Sequence, residues 1–231
     1  SGADGGDRTK DAVRVNGSEV NARVLGEGAN LGTTQRGRIE FALAGGRLNT
    51  DSIDNSAGVD CSDHEVNIKI LLDAEVQKKK LTPRARNALL QRMTNEVGDL
   101  VLWDNYEQTQ AMSMIEVRGT AQADQQMRMM RLFEKSGRLK RDVEYLPGEE
   151  ELNERVQSGR GLTRPEISVL MSYAKLWLFD ELLASNLPED PFLNQDLTRY
   201  FPTPLQKTYA AGISKHRLRR EIVATRVTNS L

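Results

Sequence analysis

Two short polar stretches carry the residue types best suited to chemistry. They are Gly26-Glu27-Gly28-Ala29-Asn30-Leu31-Gly32-Thr33-Thr34 and Asp54-Asn55-Ser56-Ala57-Gly58-Val59-Asp60-Cys61-Ser62-Asp63. Gly28 lacks a side chain and lets a ligand approach the backbone closely. Asn30 and Asn55 each offer one acceptor and two donors, which suits a ribose hydroxyl or a carboxamide. Ser62 can donate to a carboxylate at a helix N-terminus, where the macrodipole also favours an anion. The same residue types serve equally as ordinary turn and capping residues.

Other candidates are weaker. Asp60, Asp63, His64 and Glu65 form a dense polar cluster. Neighbours on a loop and first helical turn point in different directions, and no second His or Cys lies nearby at metal spacing, so no metal site is expected. Cys61 has no histidine partner at a triad-like position and reads as a small packed side chain. The basic run Lys215 to Arg220 spreads around a helix and is followed by Glu221, which reads as a solvated face.

These residues need elements to hold them. Residues 19–26 alternate Val20, Ala22 and Val24 and read as a strand. Thr33 or Thr34 caps a helix over Gln35–Ala44, and Gly45-Gly46 ends it. Arg47–Thr50 reads as the next strand and Asp51–Asn55 as a polar loop. Ser62 or Asp63 then caps a helix running through Leu72. Strand, loop, helix, strand, loop, helix is half of a doubly wound domain, with both loops facing one crevice. The expected fold is therefore α/β plus α: a partial Rossmann-like domain over residues 1–75, then a helical domain over 76–231.

In the helical part, Thr82-Pro83 starts a helix with proline at N1. Leu89, Met93, Val97, Leu100 and Val101 form its apolar stripe. Met127, Met130 and Phe133 mark one face of a helix over 121–135. Thr163-Arg164-Pro165-Glu166 is a capping box opening a helix to about Ala184. Residues 205–231 read as one further helix without a recognisable stop, as if the chain were cut inside a longer one. The apolar face around Leu170, Trp177 and Leu178 also allows an alternative role for 76–231, an interaction or assembly module without chemistry.

With 32 basic and 33 acidic residues the net charge is −1, which gives no electrostatic reason to expect nucleic acid or a membrane surface as partner. The single cysteine excludes an internal disulfide framework and suits a cytoplasmic setting. No apolar run approaches the ~18 residues that span a bilayer.

Gly26 to Leu72, with Gln35-Arg36-Gly37-Arg38-Ile39-Glu40 and Ile53-Asp54-Asn55-Ser56-Ala57-Gly58-Val59-Asp60, resembles the large NAD-specific bacterial glutamate dehydrogenases. Leu102-Trp103-Asp104-Asn105-Tyr106-Glu107-Gln108 and Leu162-Thr163-Arg164-Pro165-Glu166 are similar to their C-terminal helical region. The resemblance implies oxidative deamination of L-glutamate to 2-oxoglutarate and ammonia with NAD as cofactor, in a homo-oligomer. It implies that Gly28, Asn30 and Asn55 contact NAD and that Ser62 helps hold the substrate's side-chain carboxylate. Leu31-Gly32 stands where the smaller enzymes of the family have glycine-proline, and Ser56-Ala57 where they have alanine-glycine. The family's catalytic lysine and aspartate and its glycine-rich loop have no counterpart here. The chain is thus expected to be a C-terminal fragment, inactive alone.

Overall fold

The computed structural model describes residues 14–28 and 32–230. Their regular elements are helices: α1 (Gln35–Leu43), α2 (Asp51–Asp54), α3 (Ser56–Gln77), α4 (Pro83–Arg118), α5 (Ala123–Lys135), α6 (Arg141–Glu144), α7 (Glu149–Gln157), α8 (Arg164–Ala184), α9 (Asn194–Tyr200), α10 (Thr203–Thr208), α11 (Ala210–Ile213) and α12 (Arg219–Asn229). The chain divides into two units, each discontinuous in sequence. The first takes residues up to Asn55 and 109–174; the second takes 56–108 and 175 onward.

The expected Rossmann-like α/β half-domain is corrected. No strand and no sheet occur among the described residues; Val24 and Arg47 form one isolated parallel bridge. Its backbone bonds are Leu25 N–H to Arg47 O at 2.9 Å and Arg47 N–H to Arg23 O at 2.9 Å. Alternation of apolar residues makes a strand only if one side of it is buried, and Val24 is 69% exposed. Two paired segments without further neighbours do not make a stable sheet.

The first unit is built around Ile53, Met112, Met130, Phe133, Leu152, Leu162, Ile167 and Leu170. Burial of Ile53 explains a second departure. Residues 51–54, read as loop, wind into α2 because one helical turn places Ile53 in that core while Asp51 and Ser52 stay at its edge. The local signals around α1 act as expected: the Thr34 hydroxyl accepts from Gly37 N–H at 3.1 Å, and Gly45 ends the helix at φ +95°.

The second unit packs Ile68, Leu71, Leu72, Leu89, Met93, Leu197, Phe201, Leu205, Ile213 and Ile222. Its α3 begins at Ser56, six residues before the expected cap. The Ser56 hydroxyl donates to Asn105 Oδ1 at 2.6 Å and accepts from Gln108 Nε2 at 3.2 Å, so α4 pins the first turn. The single helix expected over 205–231 is broken. His216 Nδ1 accepts from Leu218 N–H at 3.1 Å and its Nε2 lies 3.0 Å from Asn67 O, a side-chain capture of backbone that interrupts the helical ladder.

Candidate functional site

The glycine-rich stretch is held from within the first unit by one buried carboxylate. Glu27 is 5% exposed and accepts from Arg38 Nε at 2.6 Å and Nη2 at 2.8 Å. Thr33 N–H also donates to it, at 3.3 Å. Arg38 projects from α1 and reaches Asp51 Oδ1 at 3.1 Å. The hydrogen bonds to Glu27 hold the Arg38 guanidinium more firmly protonated than usual, burial opposes this, and the charges of Glu27 and Asp51 add to it. Bidentate pairing fixes direction as well as charge. Glu27, and through it Thr33, is therefore tied to α1.

A second network joins the two sequence motifs. Glu27 N–H donates to Asp54 Oδ2 at 3.0 Å, and Asn49 Nδ2 donates to Asp54 Oδ1 at 2.7 Å. Arg164 Nε donates to Asn49 Oδ1 at 3.0 Å; its Nη1 reaches Ser113 Oγ at 3.1 Å and Glu116 Oε2 at 2.8 Å. Asn49, Asp54, Ser113 and Arg164 line a cleft of about 360 Å³ with Val24, Leu25, Gly26, Arg47 and Leu48. The cleft thus lies at the ends of the bridged segments, between the two stretches singled out in the sequence. Its lining contains no His, Lys or Cys, and Asp54 already accepts on both oxygens. Such a surface recognises hydroxyl, amide or anionic groups; it does not transfer protons.

The expected contact residues fall in different places. Gly28 is exposed, directly after the anchored Glu27, and a Cβ built on it meets nothing within 4 Å. Asn30 lies outside the described residues. Asn55 is half-buried at the C-cap of α2, next to Asp54 in the cleft wall. Ser62 belongs to the second unit. It sits exposed within α3, where its hydroxyl donates to Gly58 O at 3.1 Å; it does not cap the helix. Cys61 is exposed.

Arg38, Asn49, Asp54 and Arg164 were not marked by spacing. Arg164 sits inside a capping box whose only visible message is a helix start. One half of that box forms: Glu166 Oε2 accepts from Thr163 N–H and from the Thr163 hydroxyl, each at 2.7 Å, and Arg155 Nη1 meets both Glu166 oxygens at 2.9 Å. Anchoring the first turn of α8 in this way also sets the position from which Arg164 reaches the cleft.

Comparison with known proteins adds a separate line of evidence. Residues 1–115 match the family model described as bacterial NAD-glutamate dehydrogenase, catalytic domain, and residues 159–231 match glutamate dehydrogenase, C-terminal. The NAD-specific glutamate dehydrogenases of Pseudomonas aeruginosa and Halomonas elongata are each 51% identical over 229 residues, 99% of this chain. That of Mycobacterium tuberculosis is 46% identical over 231 residues, 100% of this chain. The chain spans 14% of the length of each of these relatives.

Proposed function

We propose that this chain, which belongs to the family of bacterial NAD-glutamate dehydrogenases, forms part of an enzyme that oxidatively deaminates L-glutamate to 2-oxoglutarate and ammonia. NAD, when bound, supplies the hydride acceptor. The observation that carries the reading is the cleft that reaches Gly26 and Asp54 of the two stretches and whose lining, apart from Arg164, lies in the segment that matches the catalytic-domain model.

The residues present fit one portion of a dinucleotide. The open space at Gly28 admits a ligand to the backbone, and Asn49, Ser113 and Arg164 put amide, hydroxyl and guanidinium groups on the wall of the cleft that begins at Gly26. Gly28, Asn30 and Asn55 are the proposed NAD contacts and Ser62 the proposed contact to the substrate carboxylate. The chain contains no G-x-G-x-x-G turn for a pyrophosphate, and the cleft offers no general base. Its own residues bind and orient; proton transfer falls to groups elsewhere in the long enzyme.

A cytoplasmic location fits the lone cysteine, and no described helix is long and apolar enough to cross a membrane. Assembly into a homo-oligomer has support in the second unit, where Leu102, Trp103 and Tyr106 are 68%, 56% and 55% exposed. Large aromatic side chains left in water are typical of protein–protein contacts.

Steady-state kinetics on the full-length protein test the reading. Asn55→Ala is expected to raise KM for NAD, and Ser62→Ala to raise KM for glutamate, each by about tenfold, the loss of one hydrogen bond to a bound group. A full-length protein that makes no NADH from glutamate overturns the activity. Unchanged kinetics in both variants overturn the contact assignment.

A further inference from the structure

In the second unit, three ligand-type side chains from two helices converge in a place that the function above does not use. Asp60 and His64 lie one turn apart on α3, and Asp104 comes from α4. One potential donor atom from each lies within 4.8 Å of the others. His64 Nε2 is 3.8 Å from Asp60 Oδ1. The His64 side chain is 1% exposed, and neither of its ring nitrogens has a hydrogen-bond partner; Asp60 Oδ2 is also buried without one. A buried polar atom left unpaired destabilises the fold, and such atoms in a folded protein require a reason.

We propose that Asp60, His64 and Asp104 form a binding site for a divalent transition-metal ion of the zinc class. One imidazole and two carboxylates are a donor set such ions accept, and three protein ligands leave a coordination position open to water or another small ligand. The surroundings are those of a built site. Tyr200 stacks on the imidazole with ring centroids 4.3 Å apart at 14°, fixing the ring plane. Tyr200 is itself tied by Asn67 Nδ2 at 2.9 Å to its hydroxyl. Arg226 Nη1 holds Asp104 Oδ1 at 2.9 Å, the outer hydrogen bond that orients a ligating carboxylate.

The nearby cation Lys175 turns its amine to Gln108 Oε1 at 2.9 Å, and burial lowers its pKa. Metal–donor bonds of about 2.0–2.2 Å need the three donors closer together than they stand. Asp60, with 17% side-chain exposure, is the one with room to turn inward. The sequence concealed the site because its third member lies on another helix, far along the chain from His64.

The test is calorimetric titration of chelator-treated full-length protein with Zn²⁺, and with Co²⁺ read by its visible absorption. The expected result is one metal per chain at micromolar affinity or tighter. Asp60→Asn, which keeps volume and leaves the core untouched, is expected to weaken binding at least about tenfold, as loss of a ligand must exceed loss of an outer partner. Zn²⁺ is expected to slow hydrogen exchange over 60–67 and 101–107 in the wild type and not in that variant. His64→Gln is expected to abolish binding at this affinity; should it fail to fold, the Asp60→Asn comparison decides alone. No binding, or equal binding by wild type and Asp60→Asn, overturns the proposal.

Discussion

In the first unit the carboxylate of Glu166, 0% exposed, accepts from Arg155 on both oxygens at 2.9 Å and from Thr163 N–H and Oγ1 at 2.7 Å. In the second unit the equally shielded imidazole of His64 has no hydrogen-bond partner at either nitrogen. Both groups are buried; they differ in whether the surrounding helices answer them. Glu27 and Arg38 repeat the answered arrangement in the first unit, and Asp60 Oδ2 repeats the unanswered one in the second. A saturated ion pair specifies local geometry and is costly only when broken. An unanswered group carries its desolvation cost in the folded state and becomes favourable when a ligand arrives. Satisfaction by neighbouring groups therefore distinguishes the Glu166 carboxylate from the His64 imidazole where burial does not.

Breaking the answered pair should have the largest effect. Arg155→Met leaves Glu166 charged and short of its partner, and chemical denaturation should show a loss of about 3–5 kcal/mol. The opposite result is expected in the second unit. His64→Phe preserves the stacking on Tyr200 and removes two unpaired nitrogens, so in metal-free buffer stability should be unchanged or higher, by up to about 1–3 kcal/mol. A marked loss there, with no loss in Arg155→Met, would dissolve the contrast between the units.

His216 refines the contrast, since it is buried in the second unit yet answered. Its pKa is lowered, first by burial, with the Asn67 carbonyl and Glu221 opposing. A group whose folded pKa lies below its unfolded value of about 6.5 contributes stability above that pH and loses it as pH falls toward the folded value. Protonation at Nδ1 also removes its bond from Leu218 N–H. The urea midpoint should therefore fall between pH 7 and pH 5, and fall less in His216→Asn measured in parallel.

The smallest effect concerns backbone alone. Lys79 holds φ +58° at the end of α3, where its N–H bonds to Val76 O at 2.9 Å. A left-handed conformation costs a residue with a Cβ about 1–2 kcal/mol. Lys79→Gly should accordingly raise the melting temperature, partly offset by the greater freedom of glycine in the unfolded chain.

What could be read in advance was local. Thr34, Gly45, Thr82-Pro83 and the Thr163–Glu166 box act through atoms a few residues away, so their types suffice to place α1, α4 and α8. The cleft could be read only at its margin, because Gly26 and Asp54 belong to the two stretches whose composition already stood out while the rest of its wall does not. The alternation at Val20, Ala22 and Val24 misled, because a strand pattern does not reveal whether neighbouring segments are there to bury it. Ser56 as the start of α3 depended on Asn105 and Gln108. Arg164 meeting Asn49, and Asp104 meeting His64, are likewise contacts between distant parts of the chain, which no spacing rule encodes.

The interleaved division of the chain has a consequence for how it is made. Of the residues up to Asn55, Ile53 finds its core partners in 109–174. A ribosome adding about 5–20 residues per second needs on the order of ten seconds to supply residues 56–174. During that interval Ile53 has no core to enter. The Glu27–Arg38–Asp51 ion network needs none of the later residues and closes within a single short span. It can therefore act as a latch on the nascent chain, joining Glu27 to α1 before the rest of its unit has been synthesised.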